Sequence, residues 1–429
     1  MKNYVRMARF SLEKDVVAQF PNSFGLAIPA NLLFYYKKSM AEFIRANAET
    51  FFIDPMTYLF AYPANMLKTR DFDYETDNLG NYKLKKSFEK LVNAYDEELI
   101  DSFRSLIPLP LAYFDNLMKT RKFIENNIMY QKNLLKKSLD SISKYELLLG
   151  LGNPENESLS PGFITAPYFY FRSTSDPWYI INLRLSKLTK ELCPDEKVYS
   201  VICTEKQNLN NNFADTIAGD FNESDGYLLF ISNFNESTES ILLLKQLMSF
   251  VSRLHIKSNK PILNLYGSFF SILLKFNGLE GVTAGLCILD HRDATAEFKG
   301  GRAPLRFYIP SLRDKISEQD FKTFLLRFNP ADECDCSFCQ TLAEARRSLS
   351  PIEFASYIDQ LFTTGRGQLM TDAMEHFLHN RLKESELTAS MPLSDIRAII
   401  ETNRACSRKY IALINTGNLI EKIVNLLNQ

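Results

Sequence analysis

Short apolar runs separated by helical stretches dominate the hydrophobic pattern of this chain. The first two runs, residues 24–29 and 50–55, flank an amphipathic stretch at residues 32–47. Further apolar runs follow at residues 162–167, 198–203, 226–231, 261–266 and 281–289. Strand–helix–strand units build parallel sheets, and seven or eight of them make a closed (β/α)8 TIM barrel. The pattern therefore predicts an α/β barrel, with a doubly wound open sheet as the alternative because periodicity cannot show closure.

Two parts of the chain lack the alternation of apolar runs and helical stretches. Residues 68–160 are predicted to form several lysine-rich amphipathic helices without strands between them, and residues 321–429, after the last strands, are again predicted to be helical. The pattern predicts a first barrel part at residues 20–67, a helical insertion at 68–160, a second barrel part at 161–320 and a helical appendage at 321–429.

Charge and hydropathy narrow the classes of function. The 429 residues carry a formal net charge of -1, so the whole molecule has no field that would draw it onto nucleic acid. Local basic clusters in the predicted insertion could face nucleic acid or could be solvated helix faces. These clusters are Lys83, Lys85, Lys86 and Lys90, then Lys119, Arg121 and Lys122, then Lys136 and Lys137. No apolar leader or run of about 18 apolar residues is present, which predicts a cytoplasmic protein without membrane contact.

Three cysteines within six residues form the most specific chemical motif, at Cys334, Cys336 and Cys339. Their spacing is typical of a zinc site, and tetrahedral zinc needs a fourth ligand. His376 and His379 lie three positions apart on a predicted helix, so either could complete the site. The other cysteines stand in apolar contexts and are predicted to be small buried hydrophobes: Cys193, Cys203, Cys287 and Cys406.

The cysteine motif and the pair His379-Asn380 together resemble the zinc signature of the tRNA-guanine transglycosylases. In that family, Cys-x-Cys-x-x-Cys is completed by the histidine of a His-Asn pair. The resemblance implies a zinc-containing TIM barrel whose structural Zn²⁺ is held by Cys334, Cys336, Cys339 and His379. It further implies exchange of a guanine for a 7-deazaguanine type of base in tRNA or DNA.

Base exchange requires a carboxylate nucleophile and a second acid/base group. Asp54 follows an early predicted strand, in a place similar to that of one family carboxylate, although Pro55 replaces the small residues found there. In the segment similar to the family's nucleophile region, Leu286 stands where the nucleophilic aspartate is expected. The nearest following carboxylate, Asp290, is therefore the predicted nucleophile, with Asp54 as the acid/base group.

Two neighbours of Asp290 complete the predicted site. His291 and Arg292 add an imidazole and a planar phosphate-binding guanidinium, and we expect them to bind substrate. Leu286 favours a different class of function, a non-catalytic, zinc-stabilised barrel that serves as a binding or interaction module. Such a module would work with protein partners in a nucleic-acid modification or defence system.

Overall fold

Eight parallel strands form a barrel in the computed structural model of the chain, which describes residues 1–61, 84–149, 159–286, 291–296, 304–411 and 418–428. The strands are β1 (Lys2–Arg6), β2 (Gly25–Pro29), β3 (Phe51–Asp54), β4 (Ile164–Thr165), β5 (Val198–Glu205), β6 (Gly226–Ser232), β7 (Ile262–Asn264) and β8 (Gly281–Gly285). They neighbour one another in the order β3-β2-β1-β8-β7-β6-β5-β4. The Gly162 N–H, two residues before β4, donates to the Phe51 carbonyl of β3 at 2.8 Å, so the two outer strands lie next to each other. The predicted TIM barrel is confirmed, because the eight parallel strands form a nearly closed barrel.

Strand β1 is an element that the hydrophobic pattern did not predict. It lies between β2 and β8 and pairs with both, from Lys2 opposite Gly281 to Arg6 opposite Gly285. Asn3 and Arg6 are buried although they are polar, which hides the apolar signature of a barrel strand. Strands β2 to β8 fall at the predicted runs.

Helices cover the outside of the barrel. The crossover helices are α1 (Phe10–Val17), α2 (Ala30–Asn47), α6 (Pro177–Leu192), α7 (Asn211–Asp220), α8 (Ile241–Ser258) and α9 (Phe269–Leu273). Between β3 and β4, the described part of the predicted insertion contains α3 (Lys86–Asp96), α4 (Ile100–Arg104) and α5 (Leu117–Leu148). Gln131 on α5 fixes this segment to the barrel, because its amide donates to the Thr165 carbonyl at 2.8 Å and accepts from the Thr165 N–H at 2.9 Å.

The chain beyond β8 adds an antiparallel hairpin and a set of helices. The hairpin strands are β9 (Arg306–Ile309) and β10 (Asp314–Ser317). The helices are α10 (Glu318–Arg327), α11 (Ser337–Ser348), α12 (Pro351–Thr363), α13 (Arg366–Ser390), α14 (Leu393–Ile411) and α15 (Leu419–Leu427). Lys315 Nζ donates to the Gly285 carbonyl at 2.9 Å, which ties the hairpin to the end of β8. No helix in the described ranges is long and apolar enough to cross a membrane.

Candidate metal centre and barrel mouth

Three cysteines and one histidine converge between α11 and α13. The potential ligand atoms of Cys334, Cys336, Cys339 and His376 all lie within 4.8 Å of one another. Cys334 follows a 3₁₀ turn at Pro330–Asp332, and the other two thiols lie at the N-terminus of α11. The positive end of a helix dipole stabilises thiolates there. The donor set suits a soft or borderline metal ion such as Zn²⁺.

His376 is held in the orientation and tautomer that a metal ligand needs. Its Nε2 atom lies 2.8 Å from the backbone carbonyl of Tyr308, which can only accept, so Nε2 carries the proton. The Nδ1 lone pair is thereby directed at the thiols, 3.3 Å from Cys336 Sγ and 3.4 Å from Cys339 Sγ. The imidazole also stacks on the Phe307 ring, with 4.2 Å between centroids. The hairpin strand β9 therefore positions this ligand.

The structure brings His376, the alternative ligand, together with all three thiols in place of the favoured His379. His379 lies to the side, where its Nε2 lies 2.8 Å from Asp335 Oδ1 and forms a second group with that carboxylate and Cys334. The reason is the face of α13 that packs inward, on which His376 and Asn380 lie one turn apart while His379 falls on the half-exposed flank. Asn380, the second residue of the His-Asn pair, also contacts the cluster, because its Nδ2 donates to Cys334 Sγ at 3.3 Å.

The electrostatics of the group depend on whether the thiols are ionised. Hydrogen bonds from Cys336 and Cys339 lower the pKa of the Cys334 thiol far below its usual value, while the bonds to Cys334 and Cys336 raise the pKa of Cys339. Burial alone would lower the pKa of His376, but the neighbouring thiols Cys334 and Cys336 raise it to about 9 in the metal-free chain. A metal ion must therefore displace protons from the site.

A second polar group lies inside the barrel at the carboxyl ends of the strands, where TIM barrels carry their sites. Asp54 ends β3 there, as predicted, but its carboxylate is already engaged. Arg6, at the end of β1, donates from Nη2 to Asp54 Oδ2 at 2.6 Å. The Tyr168 hydroxyl and the Met56 N–H donate to Oδ1 at 2.9 and 3.0 Å. The geometry gives Asp54 the task of holding Arg6.

Aromatic rings surround this ion pair. Tyr58 stacks on Tyr168 with 5.5 Å between centroids and meets the Phe230 ring edge-on at 5.3 Å. The Arg6 guanidinium lies 4.9 Å from the ring centroid of Tyr266, a distance typical of a cation–π contact. Burial raises the pKa of the Tyr58 and Tyr266 phenols, so both keep their proton.

Three donors of this group lack a protein acceptor. Within the described ranges, Arg6 Nη1, Tyr58 OH and Tyr266 OH are buried and have no hydrogen-bond partner. Leaving a buried donor unsatisfied costs about 1–3 kcal/mol, and one structural arginine does not explain three such atoms in one place. Sequence reasoning missed these residues because they come from separate strands and loops.

Only some of the other predicted site residues lie in the part of the chain that the structure describes. Asp290 and Cys287 lie outside the described residues, whereas Leu286 is buried in the core. The Arg292 guanidinium lies 5.8 Å from the Tyr58 ring centroid, and the Arg292 carbonyl accepts from the Asn233 N–H at 2.8 Å. Arg292, a predicted substrate ligand, therefore reaches the barrel mouth. His291 precedes it in the chain and is partly buried.

The basic clusters of the insertion are partly neutralised. Lys119 Nζ lies 2.7 Å from Glu98, and Arg121 Nε lies 3.1 Å from Glu125. These ion pairs favour ordinary solvated helix faces. Lys83 and the side chains of Lys136 and Lys137 lie outside the described part of the chain.

Fold and site together define a class: an α/β barrel of the TIM type with a C-terminal Cys₃His group that could hold a metal ion. No family model matches the chain, and no curated protein matches it.

Proposed function

We propose that the chain is a zinc-stabilised barrel that binds a purine base of tRNA or DNA at its mouth, as its resemblance to the transglycosylases suggests. The observation that carries the proposal is the set of unsatisfied donors within an aromatic enclosure, Arg6 Nη1, Tyr58 OH and Tyr266 OH. Proteins that take a base out of a helix bind it by stacking between rings and by hydrogen bonds to its edge. Arginine characteristically donates to O6 and N7 of guanine.

The zinc part of the proposal rests on the donor set. Three thiols and a histidine whose tautomer is fixed by a carbonyl match a closed structural site. A closed tetrahedral site leaves no position for water, so the metal would join α11 to α13 and take no part in bond breaking.

Base exchange and base binding without bond cleavage make different demands on the barrel mouth. Exchange would need a nucleophile near the end of β8, and Leu286 has no nucleophilic atom, so Asp290 is the acid proposed for this step. The engagement of Asp54 with Arg6 supports the rival, a barrel that binds the base without breaking its glycosidic bond. Both alternatives place the base against the same donors.

Two assays with the full-length protein test the proposal. Incorporation of labelled guanine into tRNA and into DNA tests exchange, and equilibrium dialysis with labelled guanine tests binding. Tyr266→Phe removes a hydroxyl that has no hydrogen-bond partner among the described residues, so it should preserve the fold and weaken base binding by roughly 2- to 10-fold, the usual contribution of one hydrogen bond. Tyr227→Phe, on β6 but with its hydroxyl directed at the Phe221 carbonyl, is the matched control.

The outcomes separate the alternatives. Guanine binding that Tyr266→Phe weakens, without exchange, supports the non-catalytic barrel. Exchange that Asp290→Asn abolishes supports the enzyme. If the native protein neither binds guanine nor exchanges it, the proposal is wrong.

A further inference from the structure

A second group of potential metal ligands adjoins the buried cluster and shares one residue with it. This outer group consists of Cys334, Asp335 and His379, whose ligand atoms lie within 4.8 Å of one another. Cys334 also belongs to the cluster of three thiols and His376. Thiolate, carboxylate and imidazole are all ligands of Zn²⁺ in proteins. One cysteine therefore connects two potential binding positions for the same ion.

The two groups differ in their access to solvent. In the cluster, Cys334, Cys339 and His376 are buried. The side chains of Asp335 and His379 are instead 66% and 32% exposed. A buried metal site needs an entry path for its ion. A hydrated ion that arrives from solution can contact the exposed carboxylate and imidazole while it still carries water, and it has to lose that water before it enters the cluster.

The outer group can hold a metal ion only weakly. It offers three ligands, whereas the cluster offers four. The Asp335 carboxylate is also shared, because its Oδ1 atom lies 2.8 Å from His379 Nε2 and accepts a hydrogen bond from Lys383 Nζ. The ammonium group of Lys383 competes with a metal ion for this carboxylate and repels the ion. An ion bound to the outer group would therefore leave it readily.

We propose that the outer group captures the metal ion and transfers it to the buried cluster, an inference that rests on the metal-binding role proposed above for the cluster. The ion keeps its bond to Cys334 Sγ throughout. Its bonds to Asp335 and His379 break as bonds to the other two thiols and to the His376 imidazole form. Each thiol that binds the ion releases its proton to water. Asp335 and His379 thus determine how fast the ion enters and leaves, and the cluster determines how tightly it is held.

The test is uptake of Co²⁺ by the full-length, metal-free chain, because charge-transfer absorbance between thiolate and cobalt appears as the ion binds the thiols. Asp335→Asn and His379→Gln should each slow the appearance of this absorbance by about 10-fold, the lower end of what removal of a ligand's hydrogen-bonded partner does to metal affinity. Lys383→Gln should accelerate it, by roughly 10-fold, since the competing ammonium is removed.

Release of the ion distinguishes a loading role from a structural one. The same path serves both directions, so release of Co²⁺ to excess chelator should slow by the same factor in Asp335→Asn and His379→Gln. The final absorbance and the equilibrium affinity should then equal those of the native chain. Glu386→Gln is the matched control, because it removes an exposed carboxylate about two turns beyond His379 on α13. It should take up Co²⁺ at the native rate.

The outcomes separate this proposal from the metal-binding role of the cluster. If Asp335→Asn and His379→Gln take up Co²⁺ at the native rate and to the native extent, the cluster binds metal and the loading role is wrong. Slower uptake together with weaker equilibrium binding would also overturn the loading role, because these residues would then be ligands of the final site. If the native chain binds neither Co²⁺ nor Zn²⁺, the metal-binding role fails, and the loading role fails with it.

Discussion

Replacement of His376 is the sharpest test of the candidate metal centre. We expect His376→Gln to lose Zn²⁺ on dialysis against a chelator, and His379→Gln, the matched control three positions away, to keep one equivalent. The two histidines differ in their neighbours: His376 lies with three thiols, whereas His379 lies with the Asp335 carboxylate and one thiol, Cys334. Metal analysis of the two purified variants beside the native protein measures the difference directly.

The size of the effect follows from linkage between metal binding and folding. A ligand that is present at 1,000 times its dissociation constant and binds only the folded chain stabilises it by about 4 kcal/mol. His376→Gln should lose that contribution. It also loses the ring stacking on Phe307, which is worth about 0.5–1.5 kcal/mol. The free energy of unfolding in urea should therefore fall by roughly 4–6 kcal/mol in the presence of zinc.

Addition of a chelator distinguishes the two contributions. The native chain without metal should retain the stacking and lie between the native holo-protein and His376→Gln. His376 is not the fourth ligand if His379→Gln loses the metal and His376→Gln keeps it. The cluster does not stabilise the fold through a metal if the chelator leaves the unfolding midpoint of the native chain unchanged.

Two further predictions concern the buried charges. Arg6→Met alone leaves Asp54 without its cation and should lower the free energy of unfolding by about 3–5 kcal/mol. Adding Asp54→Leu removes the unpaired charge but leaves the Tyr168 hydroxyl and the Met56 N–H without their acceptor, so it should restore only part of that loss. Equal urea midpoints for the single and double variants would contradict this. In the metal-free chain, the folded-state pKa of His376 lies near 9 and above its ordinary value of 6.5, so its stabilising contribution is complete below pH 6.5 and is lost as the pH rises to 9. Zinc affinity should rise over the same pH window, because the metal competes with that proton. Urea titrations in chelator measure the stability, and zinc competition titrations measure the affinity. If stability and affinity changed in the same direction with pH, the assignment of His376 would be wrong.

The barrel could be predicted because its strands are nearly continuous apolar runs that alternate with amphipathic helices. Strand β1 escaped prediction since Asn3 and Arg6 are polar residues buried within it. Their partners lie far away in the chain: the ion pair of Arg6 and Asp54 joins residues 48 positions apart. A one-dimensional pattern cannot reveal that a charge at one strand end is neutralised at another.

The metal cluster was also only partly predictable from the sequence. The thiols at Cys334, Cys336 and Cys339 could be found because local spacing brings them together. The histidine could not be chosen with certainty, because positions three apart on α13 share a broad face, and only the packing of β9 against that helix decides which ring turns inward. The resemblance to the His-Asn pair led to His379, although Asn380 serves the cluster from one turn beyond His376.

The pairing of β1 with β8 has a consequence for how the chain is made. Arg6 lies opposite Gly285, so the two strands are separated by 279 positions in sequence. At a synthesis rate of about 5–20 residues per second, roughly 14–56 s pass between the synthesis of β1 and the synthesis of β8, its second neighbour in the barrel. Throughout that interval one edge of β1 is unpaired, and such edges invite pairing with other chains. The nascent chain should therefore depend on chaperones until β8 has been synthesised.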